Sequence, residues 1–176
     1  FGAASVFNSD ISGWEVSRVT SMRSAFYQAV AFNSDISNWD VSSVNSMAHM
    51  LSGAKAFNID ISNWDLSSVG SSDYVTSMYE MLKGATSFNQ DICRWGENFP
   101  YDAAYNIFTE SGCIYQDDPQ VDQQGPFCAS TCANQTWPQQ YSTLTKSSAR
   151  YQRNHFVSSL IVLIVVFASM GGLVSR

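Results

Sequence analysis

The stretch FNSDISNW at residues 32–39 decides the fold, because it occurs in four versions along the chain. The other versions are FNSDISGW at 7–14, FNIDISNW at 57–64 and FNQDICRW at 88–95. The first two steps are 25 residues and the third is 31, with the extra residues in a Gly/Ser-rich stretch around 70–74. An insertion that leaves both flanking motifs intact is expected of stacked repeats. We therefore predict a repeat solenoid over residues 1–112.

Apolar residues follow each motif at steps of three and four. In the second repeat these residues are Val41, Val44, Met47, Met50 and Ala54. Such steps place side chains on one face of a helix. The spacing therefore predicts one short helix per coil, with the methionines as soft core filler and not as a ligand site.

The motif itself has a different period. Phe57, Ile59 and Ile61 alternate with polar residues, as they would in a short half-buried strand. One strand and one helix in about 25 residues predict an α/β solenoid of the leucine-rich-repeat class. Such coils stack at about 4.8 Å, which aligns Phe on Phe, Ile on Ile and Trp on Trp.

The pattern of residues 32–54 resembles the BspA-like leucine-rich-repeat surface proteins, a bacterial-type repeat family. This resemblance implies a cell-surface or secreted solenoid that serves in adhesion or partner binding and has no enzymatic activity. A cysteine-bearing end followed by an apolar tail is more similar to eukaryotic microalgal members. FGAASVF at 1–7 aligns with LSGAKAF at 51–57, so we expect the chain to be the C-terminal part of a longer array.

Asp recurs at the fourth position and Trp at the eighth position of every motif. Each type is a candidate ladder, meaning a row of equivalent side chains stacked from repeat to repeat. The aspartates are Asp10, Asp35, Asp60 and Asp91, and the tryptophans are Trp14, Trp39, Trp64 and Trp95. Stacked carboxylates repel each other, so the aspartates require either hydrogen bonds or a hard cation such as calcium. We prefer hydrogen bonds from backbone N–H groups and neighbouring Asn or Ser, as in an inward-facing polar ladder, and predict no metal. The tryptophans form either part of the core, which we prefer, or an aromatic binding strip.

Four cysteines lie late in the chain, at Cys93, Cys113, Cys128 and Cys132. Their even number in a segment without apolar periodicity predicts two disulfides and a cap over residues 113–133. All three pairings stay open, and a zinc site is the alternative that we consider weaker, because paired C-x-x-C spacing is absent. Asn134 begins a glycosylation sequon.

The last segments predict attachment to a membrane. Residues 134–155 are rich in Gln, Ser, Thr and basic residues and are interpreted as a flexible stalk. Residues 156–174 carry no charge and, at about 1.5 Å per residue in a helix, are long enough for a transmembrane helix. A removable lipid-anchor (GPI) signal is the alternative, because small residues at 147–149 and a polar spacer precede the apolar tail.

Composition excludes several functions. With 15 acidic against 9 basic residues and a net charge of −6, the chain lacks the basic footprint of a nucleic-acid-binding protein. No catalytic or nucleotide-binding motif is present, so we predict no enzyme and no cofactor. The prediction is a non-catalytic, membrane-anchored cell-surface repeat protein for adhesion or recognition of a protein or glycan. The alternative is a structural wall or matrix component that binds no discrete ligand.

Overall fold

Hydrogen bonds join each repeat to the next along four equivalent turn segments, residues 22–28, 47–53, 78–84 and 104–110. The computed structural model describes residues 1–70, 77–120 and 125–133, all within one compact unit, Phe1–Trp137. In these residues the helices are two short 3₁₀-helices, Cys93–Glu97 and Tyr101–Ala103. The chain between them and before them consists of turns and isolated bridges, such as the parallel bridge between Ser21 and Ser46.

The α-helix expected in each coil is absent from the described residues, and the turn segments take its place. Alternate amides in a turn segment donate to the next coil: the His49 N–H binds the Tyr79 carbonyl at 2.9 Å. The amides between them close turns within the segment, as Met50 does on Met47 at 3.0 Å. An amide that donates to a neighbouring coil is no longer available for the i−4 bond of an α-helix. Pairing between coils has therefore replaced the helix.

The strand expected in each motif is likewise absent from the described residues. Its alternation of burial is present, since Phe57 and Ile61 are buried and Ile59 is half-buried. However, the Asn58 N–H donates to the side-chain Oδ1 of Asn33 at 2.9 Å and not to a backbone carbonyl. A β-ladder requires backbone acceptors, so side-chain pairing gives an extended stack without regular strands.

The core is organised around one row of phenylalanines, Phe7, Phe32, Phe57 and Phe88. Successive ring centroids lie 6.0, 5.9 and 5.8 Å apart with nearly parallel planes. The last three rings are completely buried, together with the apolar residues of the turn segments. A single coil has too few neighbours to bury such a face, so the row stabilises the stack of coils.

Several sequence predictions fall outside the described residues. These are the stalk at 134–155, the membrane span or lipid-anchor signal at 156–174, the sequon at Asn134 and most of the Gly/Ser-rich insertion. Within the part of the chain that is described, no helix has the length and apolar character needed to cross a membrane.

Candidate recognition surface

An asparagine ladder runs along the motif side of the molecule, which we call the motif face. Oδ1 of each asparagine accepts the backbone N–H of the asparagine one coil later. The three distances are 2.7 Å from Asn33 to Asn8, 2.9 Å from Asn58 to Asn33 and 3.0 Å from Asn89 to Asn58. The ladder tolerates the 31-residue step as well as the 25-residue steps. It fixes the register between neighbouring motifs.

The aspartates of the motif face are exposed and bond within their own coils. Asp10, Asp35 and Asp60 each accept the N–H of the serine two residues later, at 2.9–3.0 Å, and Asp91 accepts that of Cys93 at 3.0 Å. The Ser37 hydroxyl also donates to Asp35, and together with the Ser37 N–H it lowers the pKa of that carboxyl. These bonds are those of the hydrogen-bonded alternative, although the carboxylates face outward. The described residues contain no cluster of three or more potential metal ligands.

The tryptophans connect coils through their indole nitrogens. Nε1–H of Trp39 donates to the carbonyl of Ile11 at 3.2 Å, and Trp64 and Trp95 make the same bond to the preceding coil. All three rings are buried, whereas Trp14 in the first coil is 48% exposed. A buried indole usually needs a partner for its N–H, and the carbonyl supplies it. The three rings are thus core residues that also connect coils, and among the described residues the tryptophans of the motifs form no continuous strip on the surface.

Two nested disulfides close the C-terminal end. Cys93 is bonded to Cys132 with the Cα atoms 5.6 Å apart, and Cys113 is bonded to Cys128 with the Cα atoms 4.6 Å apart. The predicted use of all four cysteines in disulfides is thus confirmed, and the pairing left open by the sequence is resolved. Each of the four sulfurs is bonded to another sulfur, so none is present as a free thiolate that could bind zinc.

The turn segments form a second side of the molecule, and they contain backbone in the left-handed region. One such position recurs at Ser24, His49, Glu80 and Asn106, with φ between 53° and 57°. A second recurs four residues later, at Gln28, Gly53, Gly84 and Glu110. Left-handed backbone costs about 1–2 kcal/mol for a non-glycine residue, so each coil must offset it by its hydrogen bonds to the next coil. We call this side the turn face.

Aromatic and charged side chains of three coils meet on the turn face. The His49 ring lies edge-on to Tyr27 and Tyr79, with centroids 6.2 and 5.2 Å apart. His49 Nδ1 lies 3.4 Å from Glu80 Oε2 and forms no hydrogen bond among the described residues. Lys83 Nζ donates to Glu80 Oε1 at 2.8 Å. The five side chains form a partly exposed patch that crosses coil boundaries.

The charges of this patch are mutually stabilised. The hydrogen bond from Lys83 lowers the pKa of Glu80, and the same bond raises the pKa of Lys83. Both groups therefore stay ionised through the neutral range. Tyr27, within the patch, is 40% exposed, and Tyr105, one coil beyond Glu80, is 48% exposed. The turn face thus offers aromatic rings and both signs of charge within a few coils.

Sequence reasoning missed two of these features. The asparagine ladder had a signal, because Asn follows Phe in all four motifs. The repeat pattern gave no signal for the turn-face patch. His49 and Glu80 meet only because their coils stack, and these coils are separated by the longer, 31-residue step.

A comparison with known protein families finds a match over residues 1–117 to the family described as "Mycoplasma protein of unknown function, DUF285". No curated protein and no solved structure matches the chain. The matched residues include all four motifs, so the coarser part of the predicted resemblance holds: the chain is a relative of the BspA-like surface repeats. The leucine-rich-repeat class, truncation and algal source stay predictions. Because the match covers more than half of the sequence, the chain belongs to the DUF285 family.

Proposed function

We propose that this protein is a non-catalytic, membrane-anchored cell-surface solenoid that recognises a protein or glycan partner through its turn face. The observation that carries the proposal is the difference between the two faces. The motif face repeats the same Asn and Asp chemistry coil after coil. The turn face instead changes from coil to coil at one equivalent position, through Ser24, His49, Glu80 and Asn106.

A surface that is free to vary suits recognition better than it suits stacking. The bonds that hold the turn segments together use backbone atoms, so their outward side chains are not required for the fold. Tyrosines are enriched in binding surfaces because the ring supplies contact area at low entropic cost and the hydroxyl forms hydrogen bonds. Tyr27, Tyr79 and Tyr105 bring three such rings to this face. A fixed scaffold with a variable face is the arrangement expected of a recognition solenoid.

The repeats support a solenoid, and we place it in the leucine-rich-repeat class as part of the proposal. Backbone bonds join turn segments one coil apart, and the phenylalanine row continues through all four motifs. Each coil of the proposed solenoid uses turns and side-chain ladders instead of a regular helix and strand.

Anchoring is proposed from the sequence of residues 156–174, which are uncharged and long enough to cross a bilayer. Removal of residues 155–176 should release the protein from membranes and leave the repeats folded. Sensitivity of the uncut protein to a phospholipase specific for lipid anchors would identify the anchor version. A truncated protein that stays on membranes would contradict both versions.

The recognition proposal is tested by binding of residues 1–145 to a glycan array and to extracellular proteins. A Tyr27→Ala/Tyr105→Ala variant should lose at least about tenfold in affinity for any ligand found, as expected for exposed aromatic anchors. Asn38→Ala, at an exposed position of the motif face, is the matched control and should bind unchanged. Equal loss in the control would place the binding elsewhere.

The structural alternative is favoured by one observation, the uniform exposed row of aspartates on the motif face. A wall or matrix component would need only such a repeating surface. Two results together would favour this alternative. No ligand would be found, and both the unsubstituted protein and the Tyr27→Ala/Tyr105→Ala variant would be retained in a cell-wall extract.

A further inference from the structure

The hydrogen bonds between coils have a direction and a register. In the first three turn segments the amides at alternate positions donate forward to carbonyls of the following coil. His49 donates to the Tyr79 carbonyl at 2.9 Å and Gly53 to the Lys83 carbonyl at 2.7 Å. The forward edge of any coil is consequently a row of N–H donors, and the coil that follows supplies the acceptors. Such a row, when unpaired, is a template for another chain.

The fourth turn segment repeats this geometry, but a capping segment supplies its acceptors. Asn106 occupies the position of His49, and its N–H donates to Asp118 Oδ2 at 2.9 Å. The next amide, that of Ile107, donates to Asp118 Oδ1 at 3.0 Å. Glu110 occupies the position of Gly53, and its N–H donates to Gln116 Oε1 at 3.2 Å. Two side chains therefore stand where the carbonyls of a further coil would stand.

The same segment closes the motif side of the fourth coil. Cys128 forms an antiparallel bridge with Asp91, and the Ala129 N–H donates to the Gln90 carbonyl at 3.3 Å. The buried ring of Phe127 lies edge-on to Phe99 with centroids 4.9 Å apart. Two disulfides hold this covering in place. The cap, defined as residues 113–120 and 125–132, thus contacts both faces of the last coil.

We propose that the cap is an edge mimic that terminates the array. The forward edge of the fourth coil is an interaction surface that fits another coil of this repeat, and Asp118 with Gln116 keeps a second copy of the chain from adding there. The register carries this inference, because two of the three amides bonded by these side chains, those of Asn106 and Glu110, hold forward-donating positions, while Asp118 also accepts the intervening amide of Ile107. A carboxylate is well suited to the task, since two consecutive N–H groups form charge-assisted bonds to its two oxygens.

The test uses the full chain with both disulfides intact. In Asp118→Ala, hydrogen exchange at the Asn106 and Ile107 amides should rise at least about tenfold, because each loses its acceptor. Sedimentation should show association that increases with protein concentration. Asp118→Asn, which keeps an acceptor oxygen, should show a smaller rise and serves if the alanine variant does not fold.

Asp117→Ala is the matched control, because Asp117 is exposed and makes none of the bonds to the ladder. Like Asp118→Ala, this variant keeps residues 134–176 and loses one negative charge. Its amide exchange and its sedimentation should equal those of the unsubstituted chain. Unchanged exchange at Asn106 and Ile107 in Asp118→Ala would overturn the mimicry. Faster exchange without association at any concentration would overturn the termination of the array. Both results are independent of whether the turn face binds a partner.

Discussion

The indole Nε1–H of Trp64 donates a hydrogen bond of 3.1 Å to the carbonyl of Ile36 in the preceding coil. The sequence separation of these residues is 28, so the bond exists only while the two coils are stacked. The same relationship recurs at the neighbouring steps, which makes each tryptophan both a core residue and a connection between coils.

Replacement of this tryptophan should reveal the value of the connection. Trp64→Phe keeps an aromatic ring in the core but removes the donor and some buried volume. We expect the free energy of unfolding to fall by about 1–2 kcal/mol. Trp14→Phe, at a half-exposed ring in the first coil, should cost about 0.5 kcal/mol or less. Chemical denaturation measures both values, and equal losses would contradict the role of the indole N–H.

The asparagine ladder makes a similar but smaller prediction. Asn33→Ala removes the Oδ1 that accepts the Asn58 N–H at 2.9 Å. Because water can reach the exposed Asn58, the expected loss of unfolding free energy is about 1 kcal/mol. Asn38→Ala, exposed on the same face, should lie within about 0.5 kcal/mol of the unsubstituted protein. Denaturant titration measures the free energy of unfolding of both variants. Equal values for Asn33→Ala and Asn38→Ala would show that the ladder has no energetic effect.

Gly53 should resist substitution for two separable reasons. Its φ is +75°, and an added Cβ would lie 2.6 Å from Gln28 Nε2. Gly53→Ala should therefore lower the free energy of unfolding by about 1–2 kcal/mol for the backbone alone, plus the displacement of Gln28. Adding Gln28→Ala to the Gly53→Ala variant should recover only the part of the lost free energy that comes from displacing Gln28. Gly13→Ala is the control, since no heavy atom beyond its own residue and its two chain neighbours lies within 4 Å of the added Cβ. Thermal unfolding distinguishes the three variants.

Acid should weaken the motif-face turns through Asp35. Hydrogen bonds from the Ser37 hydroxyl and N–H hold the pKa of Asp35 below its ordinary value of 3.8. A carboxyl whose folded pKa is depressed stabilises the fold above its unfolded pKa, and this contribution is lost as the pH falls through the folded pKa. The pH window therefore lies at and below 3.8.

Ser37→Ala should raise the pKa of Asp35 toward its ordinary value, because only the backbone donor at 3.0 Å remains. An NMR titration of the Asp35 carboxyl carbon measures this change. Ser9→Ala, an exposed serine one position before Asp10, is the control and should leave the Asp35 titration unchanged. An identical titration in both variants would show that the hydroxyl has no influence.

The disulfides should be recovered as Cys93–Cys132 and Cys113–Cys128 in peptide maps of the unreduced protein. Removing the outer bond by Cys93→Ala/Cys132→Ala opens a separation of 39 residues, and we expect a loss of about 3–4 kcal/mol. The inner pair spans 15 residues, and its removal should cost about 3 kcal/mol. Denaturant unfolding measures both. Free thiols, bound zinc or another pairing in the map would contradict the assignment.

Part of the candidate surface could be anticipated and part could not. The sequence indicated which positions of the turn segments are buried, whereas the described residues there form turns and not the expected helix. A turn repeat of four residues, visible in the left-handed pairs Ser24–Gln28 and His49–Gly53, buries nearly the same positions as a helix of 3.6 residues per turn. Apolar spacing alone cannot distinguish these two conformations. The patch around His49 depended on contacts between coils and therefore on the register of stacking.

By itself the sequence determined the repeat, the residues that share a column and the core that follows from them. Phe32 and Phe57 had to meet because equivalent positions of identical coils superimpose when coils stack. Only the tertiary structure decided how the backbone makes each coil, which cysteines pair and which side chains accept the amides of the fourth turn segment. These outcomes depend on distances between segments far apart in sequence, as in the bond from Asn106 to Asp118. No local pattern encodes such distances, because they are set by the packing of all the coils together.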